Sequence, residues 1–522
     1  MQGKSGKTFK NRAPGRGAIY RKQKNQPMFE DFYLPFGGKL RSDNRWVKLA
    51  KLIPWEEIEE RYADNFADSG MGAPAKAARI ALGALIIQEK LGLTDEETVY
   101  QIQENPYLQY FLGYGGYRDE APFHESMMVH FRKRLNLGEL GEINELIHRR
   151  YREKGKRRGN SGQTGGSGGT GGADSIDHKT VDGGDGGGGE EENPNQGKLI
   201  VDASCTPADI RYPTDLGLLN EAREKSEGII DRLHEPLRGE EKKPRTYRER
   251  ARRDYLRAAK RRNLGGKELR KALGKQLRYL RRDLGHVEGL AEKSSLQLLS
   301  RREYRNLLVI EEVYRQQKRM YEEGTRRIED RIVSISQPHV RPIVRGKAGV
   351  PVEFGAKISV SLVEGYTFID RMSWDNFNES GELIEQIERY RQRFGYYPES
   401  VHADRIYRNR ENLKYCGRHG IRISGPRLGR PKQEVDPAER KLMRADELER
   451  NAVEGKFGQG KRRYGLGLIR GKLAETSGSM IGMAILVMNL EKLLREVFWL
   501  LWNRALFTVF NTHSGHFVDL KV

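Results

Sequence analysis

Residues 159–190 read GNSGQTGGSGGTGGADSIDHKTVDGGDGGGGE, and no other run restricts the fold of this chain as strongly. Such a composition has almost no apolar surface to bury and reads as a flexible tether. It divides the 522-residue chain into a shorter N-terminal part and a longer C-terminal part. Each must find its own core, and the two are expected to move independently. His178 and the aspartates within the run read as solvated residues, not as ligands.

The N-terminal part reads as a basic, disordered arm over 1–27 and a helical domain over 28–150. The arm has no apolar run of the kind a secretory signal needs. The stretch from Trp46 to Leu135 is helical in pattern. Its segment APAKAARIALGALIIQEKLG opens with Pro74 and closes at Gly92, a glycine placed to stop a helix. Thr94 followed by Glu97 has the spacing of a capping box, and PFHESMMVHFRKRL, ending at Leu135, gives a further helix with a basic end. A compact helical bundle of this kind suits DNA binding and suits dimerisation equally well.

Past a linker expected over 151–196, the pattern changes. Leu199 to Val201 form a short apolar run, read as a buried strand that ends at Asp202. Residues 217–335 are long, charged and helical, without strand signals. Strands resume at EFGAKISVSLVEGYTFID, where Ile358, Val360 and Leu362 alternate with Lys357, Ser359 and Ser361, as in a half-buried strand. Glu364-Gly365 marks a hairpin turn. An amphipathic helix stopped by Gly395, a strand running into Asp404, a second helix, the strand IRISGP and a helix over roughly 436–457 complete the order.

Strand, long insertion, strand, strand, helix, strand, helix, strand, helix is the order of a ribonuclease H-like fold. The fold class expected is therefore α/β: a ribonuclease H-like catalytic domain over 197–475, with a helical basic insertion at 217–335 after its first strand. An all-α domain precedes it and a helical segment over 476–522 follows. In that fold Asp202, Asp404 and Glu454 converge. Three carboxylates suit Mg²⁺, with Mn²⁺ as the alternative, because a hard cation takes oxygen ligands. Two ions about 3.5–4 Å apart are suited to in-line phosphoryl transfer. Asp202 is expected to bridge both, Asp404 to hold one and Glu454 the other.

Charge supports the same direction. Lys and Arg number 94 against 73 Asp and Glu, a net charge of +21, and such an excess suits a polyanion such as nucleic acid. In 241–290 basic residues outnumber acidic ones about three to one. That stripe reads either as a phosphate-tracking surface or as a solvated helical hairpin. Glu454 stands among cations, with Arg450 one helical turn before it and Lys461, Arg462 and Arg463 after it. It reads either as a surface ion-pair partner or as a metal ligand whose neighbours Arg450, Lys461, Arg462 and Arg463 contact DNA.

Other classes drop out. The two cysteines, Cys205 and Cys416, make neither a four-cysteine zinc site nor a disulfide framework, which points to a reducing compartment. The apolar run at 481–510 is broken by Glu491, Lys492, Arg495 and Glu496, so it reads as a buried or amphipathic helix rather than a membrane span. The expected location is cytoplasmic and nucleoid-associated, without membrane partners. Trp374 reads as a half-buried core residue or a base-stacking platform, and His402 as a neutral strand-end histidine.

These motifs resemble those of bacterial insertion-sequence transposases of the DDE class, in the group named after insertion sequences four and five. That group's signature is Tyr, two residues, Arg, three residues, Glu, six residues, Lys. Arg450, Glu454 and Lys461 match it, while Glu447 stands at the tyrosine position. VDASCTPADIRYPTD and HADRIYRNRENLKYCGRHGIRISGP resemble the first and second aspartate motifs. The helical segment at 46–135 resembles the domain that precedes them. The resemblance implies binding of double-stranded DNA at terminal inverted repeats, metal-dependent strand cleavage, and strand transfer into target DNA by a homodimer or larger assembly. The alternatives are a nuclease or resolvase on the same fold without strand transfer, and an inactive transposase-derived DNA-binding protein.

Overall fold

A computed structural model describes residues 32–34, 38–64, 66, 74–160, 194–344, 352–426, 429 and 436–514. The basic arm and residues 161–190 of the glycine-rich run lie outside these residues. Seven helices come first: α1 (Arg45–Leu52), α2 (Trp55–Ala63), α3 (Ala78–Leu91), α4 (Asp95–Glu104), α5 (Pro106–Phe111), α6 (Met127–Arg134) and α7 (Leu137–Asn160). Gly92 ends α3 in the left-handed region at φ +69°, and Thr94 caps α4 by accepting from the Glu97 N–H at 3.1 Å.

Strand β1 (Lys198–Pro207) follows, then the helices α8 (Asp215–His234), α9 (Arg248–Ala259), α10 (Gly266–Lys293) and α11 (Arg301–Glu323). Next come β2 (Arg341–Val344), β3 (Val352–Val363), β4 (Tyr366–Ser373), α12 (Leu383–Phe394), β5 (Ser400–His402), α13 (Arg410–Arg418), β6 (Arg422–Ile423), α14 (Pro437–Arg463) and α15 (Ala474–Ser514). The fold is mixed α/β. The sheet runs β2-β3-β1-β5-β6, with β4 also on β3. β1 is antiparallel to β3 and parallel to β5, β3 is antiparallel to β2 and β4, and β5 is parallel to β6.

Two sequence expectations change here. β1 does not end at Asp202. It continues to Pro207 because Ala203–Pro207 pair with Gly355–Ser359 of β3. The strands come so close there that a Cβ on Gly355 would lie 2.1 Å from the Thr206 carbonyl oxygen. Nor is β3 half-buried. Ser359 and Ser361 are as buried as their apolar neighbours, since Gln386 of α12 donates to Ser359 Oγ and Ser361 donates to Asp370. Glu364 and Gly365 do form the β3–β4 turn, both at positive φ (52° and 78°), as a tight hairpin requires.

The N-terminal helices share a core with the sheet instead of standing apart from it. One apolar cluster runs from Phe32 through α3 and β1 to Leu493. At its centre Asn144 of α7 and Asn489 of α15 bond each other at 2.9 Å, and both donate to the Thr367 carbonyl of β4. By length and composition the Ala474–Trp499 stretch of α15 is apolar enough to cross a membrane. Yet 78% of its most apolar window is buried inside the protein, against α3, α6, α7 and β4. The Ala474–Trp499 stretch is thus a central core helix. Cys205 and Cys416 are buried and not joined by a disulfide.

Candidate active site beside the central strand

The parallel ladder between β1 and β5 sets Lys198 against Ser400, Leu199 against Val401 and Ile200 against His402. Two residues further along each chain stand Asp202 and Asp404. Both therefore stand at the same level of the ladder, Asp404 just past β5 and Asp202 within β1, which runs on to Pro207. Asp404 lies just past β5 and caps the Arg405–Tyr407 turn, accepting from the Arg405 N–H at 2.7 Å. Asp202 is half-buried, and its Oδ1 accepts from the Ala203 N–H at 2.8 Å.

Burial pushes the Asp202 carboxyl up to about 6, and the neighbouring charges of Glu379 and Asp404 push the same way. The Ala203 N–H and the Arg450 guanidinium oppose this. Glu379, in the Glu379–Glu382 turn after β4, was not singled out in the sequence. An acid in a turn such as NESGE reads as an ordinary turn residue, and only the fold brings it near Asp202.

Helix α14 carries the remaining residues. Asp436 caps it, accepting from the Ala438 N–H, and the helix runs unbroken through Glu454 to Arg463. Only Asp446, Val453 and Gly460, seven residues apart, are buried, so one narrow seam faces β1 and β5. Asp446 anchors that seam. It takes both arms of Arg422 at 2.7 and 2.8 Å, and it lies 3.5 Å from His402 Nδ1. Burial holds the His402 imidazole below its usual range despite Asp446, in keeping with a neutral strand-end histidine. Its Nε2 is 3.0 Å from Ser400 Oγ.

Asp404 and Arg450 lie near enough to Asp202 for their charges to act on its carboxyl. Glu454 is placed differently. Its side chain is 57% exposed and pairs with Arg450 at 3.1 Å, as an i,i+4 neighbour does. Among the described residues, no three acidic, histidine or cysteine side chains are close enough to hold an ion. Lys461, Arg462 and Arg463 occupy the last turn of α14, where cations complement the helix dipole. Trp374 is half-buried and packs edge-on against His339 at 4.4 Å, which makes it a core residue.

Comparison with known proteins finds likeness to transposases in two segments of the chain. A family model described as "Transposase DDE domain" matches residues 401–491, and one described as "Transposase domain (DUF772)" matches 35–134. A Rhizobium meliloti protein described as "Uncharacterized protein ORF8 in nfe locus" is 37% identical over 89 residues. That match takes in 17% of this chain and 42% of the relative, so the chain spans less than half the length of that protein. No solved structure matches. With one transposase-domain match on each side of the helical insertion, the chain is similar to DDE-type bacterial insertion-sequence transposases over those two segments. The first match covers Asp404, Arg450, Glu454 and Lys461, while Asp202 falls outside both.

Proposed function

We propose that this chain binds the terminal inverted repeats of an insertion sequence, cleaves DNA at their boundary and transfers the cut strand into target DNA. The observation that carries this reading is the pair Asp202 and Asp404, abreast on neighbouring strands beneath α14, in a chain with two transposase domains. A ribonuclease H-like catalytic domain is the fold reading this strand order favours, with β1 central, β3 and β4 antiparallel on one side, and β5 and β6 parallel on the other.

The donor set suits a hard divalent cation. Asp202 and Asp404 are oxygen donors of the kind a hard cation takes, and the charge of Asp404 adds to the burial that pushes the Asp202 carboxyl up. Asp202, Asp404 and, by a side-chain rotation away from Arg450, Glu454 would hold Mg²⁺ or Mn²⁺. Bound there, one or two such ions supply Lewis-acid activation of the attacking oxygen and charge stabilisation at the leaving one. The chain's own residues do the rest. Arg450, released from Glu454, lies beside Asp202 to neutralise the scissile phosphate. Lys461, Arg462 and Arg463 extend the cationic track along the duplex. Two element ends must be held at once, which calls for a homodimer or larger assembly.

Offering a pre-cut repeat end with a free 3′-hydroxyl and a plasmid target tests this function. Joined products are the expected outcome. Cleavage of intact ends with no joining would instead mark a nuclease.

A further inference from the structure

A cavity of about 210 Å³ opens where the chain leaves β1 for the helical insertion. Its walls are mostly apolar, with Tyr212 and Leu218 from the start of the insertion, Ile332 from its end, and Pro342 and Phe354 from β2 and β3. Cavities that take drug-sized ligands run to about 300–1,000 Å³, so this one suits a single ring system. Arg331 supplies a polar wall. Its Nη1 donates to the Arg326 carbonyl at 2.8 Å and its Nη2 pairs with Asp215, yet its buried Nε has no partner. A buried N–H without an acceptor is costly, and a ligand carbonyl oxygen would satisfy it.

Tyr212 is 74% exposed, although the chain on both sides of it is pinned. Upstream, the Ala208 N–H donates to the Phe354 carbonyl at 2.8 Å and the Asp209 N–H to the Ile469 carbonyl at 2.9 Å. Gln337 Nε2 donates to the Asp209 carbonyl at 2.8 Å. Downstream, Pro213 restricts the tyrosine backbone, and Thr214 caps α8 by accepting from the Gly217 N–H at 3.1 Å. The ring stands edge-on to Phe354, with centroids 5.6 Å apart. A bare aromatic ring held this firmly loses little entropy when another ring stacks on it.

The surrounding charge favours a polyanion. Arg211, exposed beside the tyrosine, reaches the Tyr255 hydroxyl of α9 at 3.4 Å. That contact sets Tyr212 next to a helix whose Arg250, Arg252, Arg253 and Arg257 are all exposed. The nearby carboxylates Asp209 and Asp215 are already paired, with Lys472 and Arg331.

We propose that Tyr212 and the cavity beside it capture an unpaired nucleobase of bound DNA, stacking it on the tyrosine ring and offering Arg331 Nε to a base carbonyl oxygen. This rests on reading the chain as a DNA-binding transposase. From Asp202, β1 runs on to Pro207, about 17 Å at about 3.3 Å per residue, before the chain enters the cavity wall. That is about the length of five stacked nucleotides, so the captured base is one opened near the cut and not at it.

The test is fluorescence anisotropy of the full chain with three labelled duplexes. One ends in a single-stranded run of about five thymines, one in the same run without bases, and one is blunt. Wild type is expected to bind the thymine run at least about fivefold tighter than the abasic run. Tyr212→Ala is expected to bring that ratio to within about twofold of one, while Tyr212→Phe, which keeps the ring, retains it. Thermal melts check that both variants are folded. A Tyr212→Ala chain with the wild-type ratio overturns the proposal, and so does a wild type indifferent to the bases. Salt-dependent binding of wild type to the blunt duplex would then leave the DNA reading standing. Loss of binding to all three duplexes would remove that reading as well.

Discussion

The sheet body and the helical insertion hold themselves together on opposite plans. The body has one continuous apolar core joining α3, β1, β3 and α15, elements hundreds of residues apart in sequence. The insertion has two small apolar clusters, one around Leu219, Leu280 and Ile310 and the other around Ile230, Val287 and Leu307. Between them on α8 and α10 lie the buried Arg223, Glu227 and Asp283. Arg223 pairs with Glu227, while neither oxygen of the fully buried Asp283 accepts a well-formed hydrogen bond. Apolar shape specifies the body. The insertion is specified partly by where charges sit, which gains less stability per buried residue.

The largest expected effect comes from breaking the body. Leu486→Ala in α15, at a 1%-exposed position, should cost about 2–5 kcal/mol and lower a single melting transition followed by circular dichroism. Separate melting of the N-terminal helices would show that the shared core does not couple them.

The insertion should respond the other way. Burial pushes the Asp283 carboxyl up to about 7, with Arg282 opposing. The unfolded group titrates near 4, so the folded state binds the proton more tightly, and ionisation costs stability as pH rises from about 4 to about 7. Asp283→Asn should therefore stabilise the chain by about 1–3 kcal/mol at pH 8 and by little at pH 4, measured by denaturant melts. A destabilised variant at pH 8 would mean that the charge is satisfied.

Asp202 offers the same sign on a smaller scale. Its folded carboxyl sits at about 6, so without added metal Asp202→Asn should gain about 1–2 kcal/mol above pH 6, with the gain fading towards pH 4. Added Mg²⁺ should reverse the order by stabilising wild type alone. The smallest effect concerns DNA. Replacing both Arg462 and Arg463 by Ala should lower the slope of log affinity against log salt by about two. A similar loss from Arg253→Ala and Arg257→Ala, two exposed cations on α9, would assign the insertion's basic stripe to DNA rather than to solvent.

What was legible in the sequence follows from local chemistry. Gly92, Glu364-Gly365, Gly395 and Asp436 mark ends and turns because backbone sterics and capping act within a few residues. Hydrophobic periodicity gave the β3–β4 hairpin and the helices of the insertion. Long-range pairing stayed hidden. Nothing in DASCTP shows that β1 continues beyond Asp202, because that depends on Gly355 admitting the strand 150 residues away. Ser359 and Ser361 read as a solvent face until Gln386 and Asp370 cover them. Asp202 and Asp404 could be named because each follows a readable apolar run, and Arg450 because of its spacing to Glu454. Glu379 could not, since it lies in a turn without a motif and only the fold lets its charge act on Asp202. The tether suggested two independent parts, and the packing of α7 and α15 on β4 joins them.

The most direct test of the central claim is strand cleavage of labelled duplex carrying the element's own ends, in Mg²⁺, by wild type, Asp202→Ala, Asp404→Ala and Glu454→Gln. Nicking at the repeat boundary by wild type, with all three variants binding DNA but not cutting it, is the predicted result. Cleavage by Glu454→Gln at the wild-type rate would contradict the account, leaving Glu454 as no more than the surface partner of Arg450.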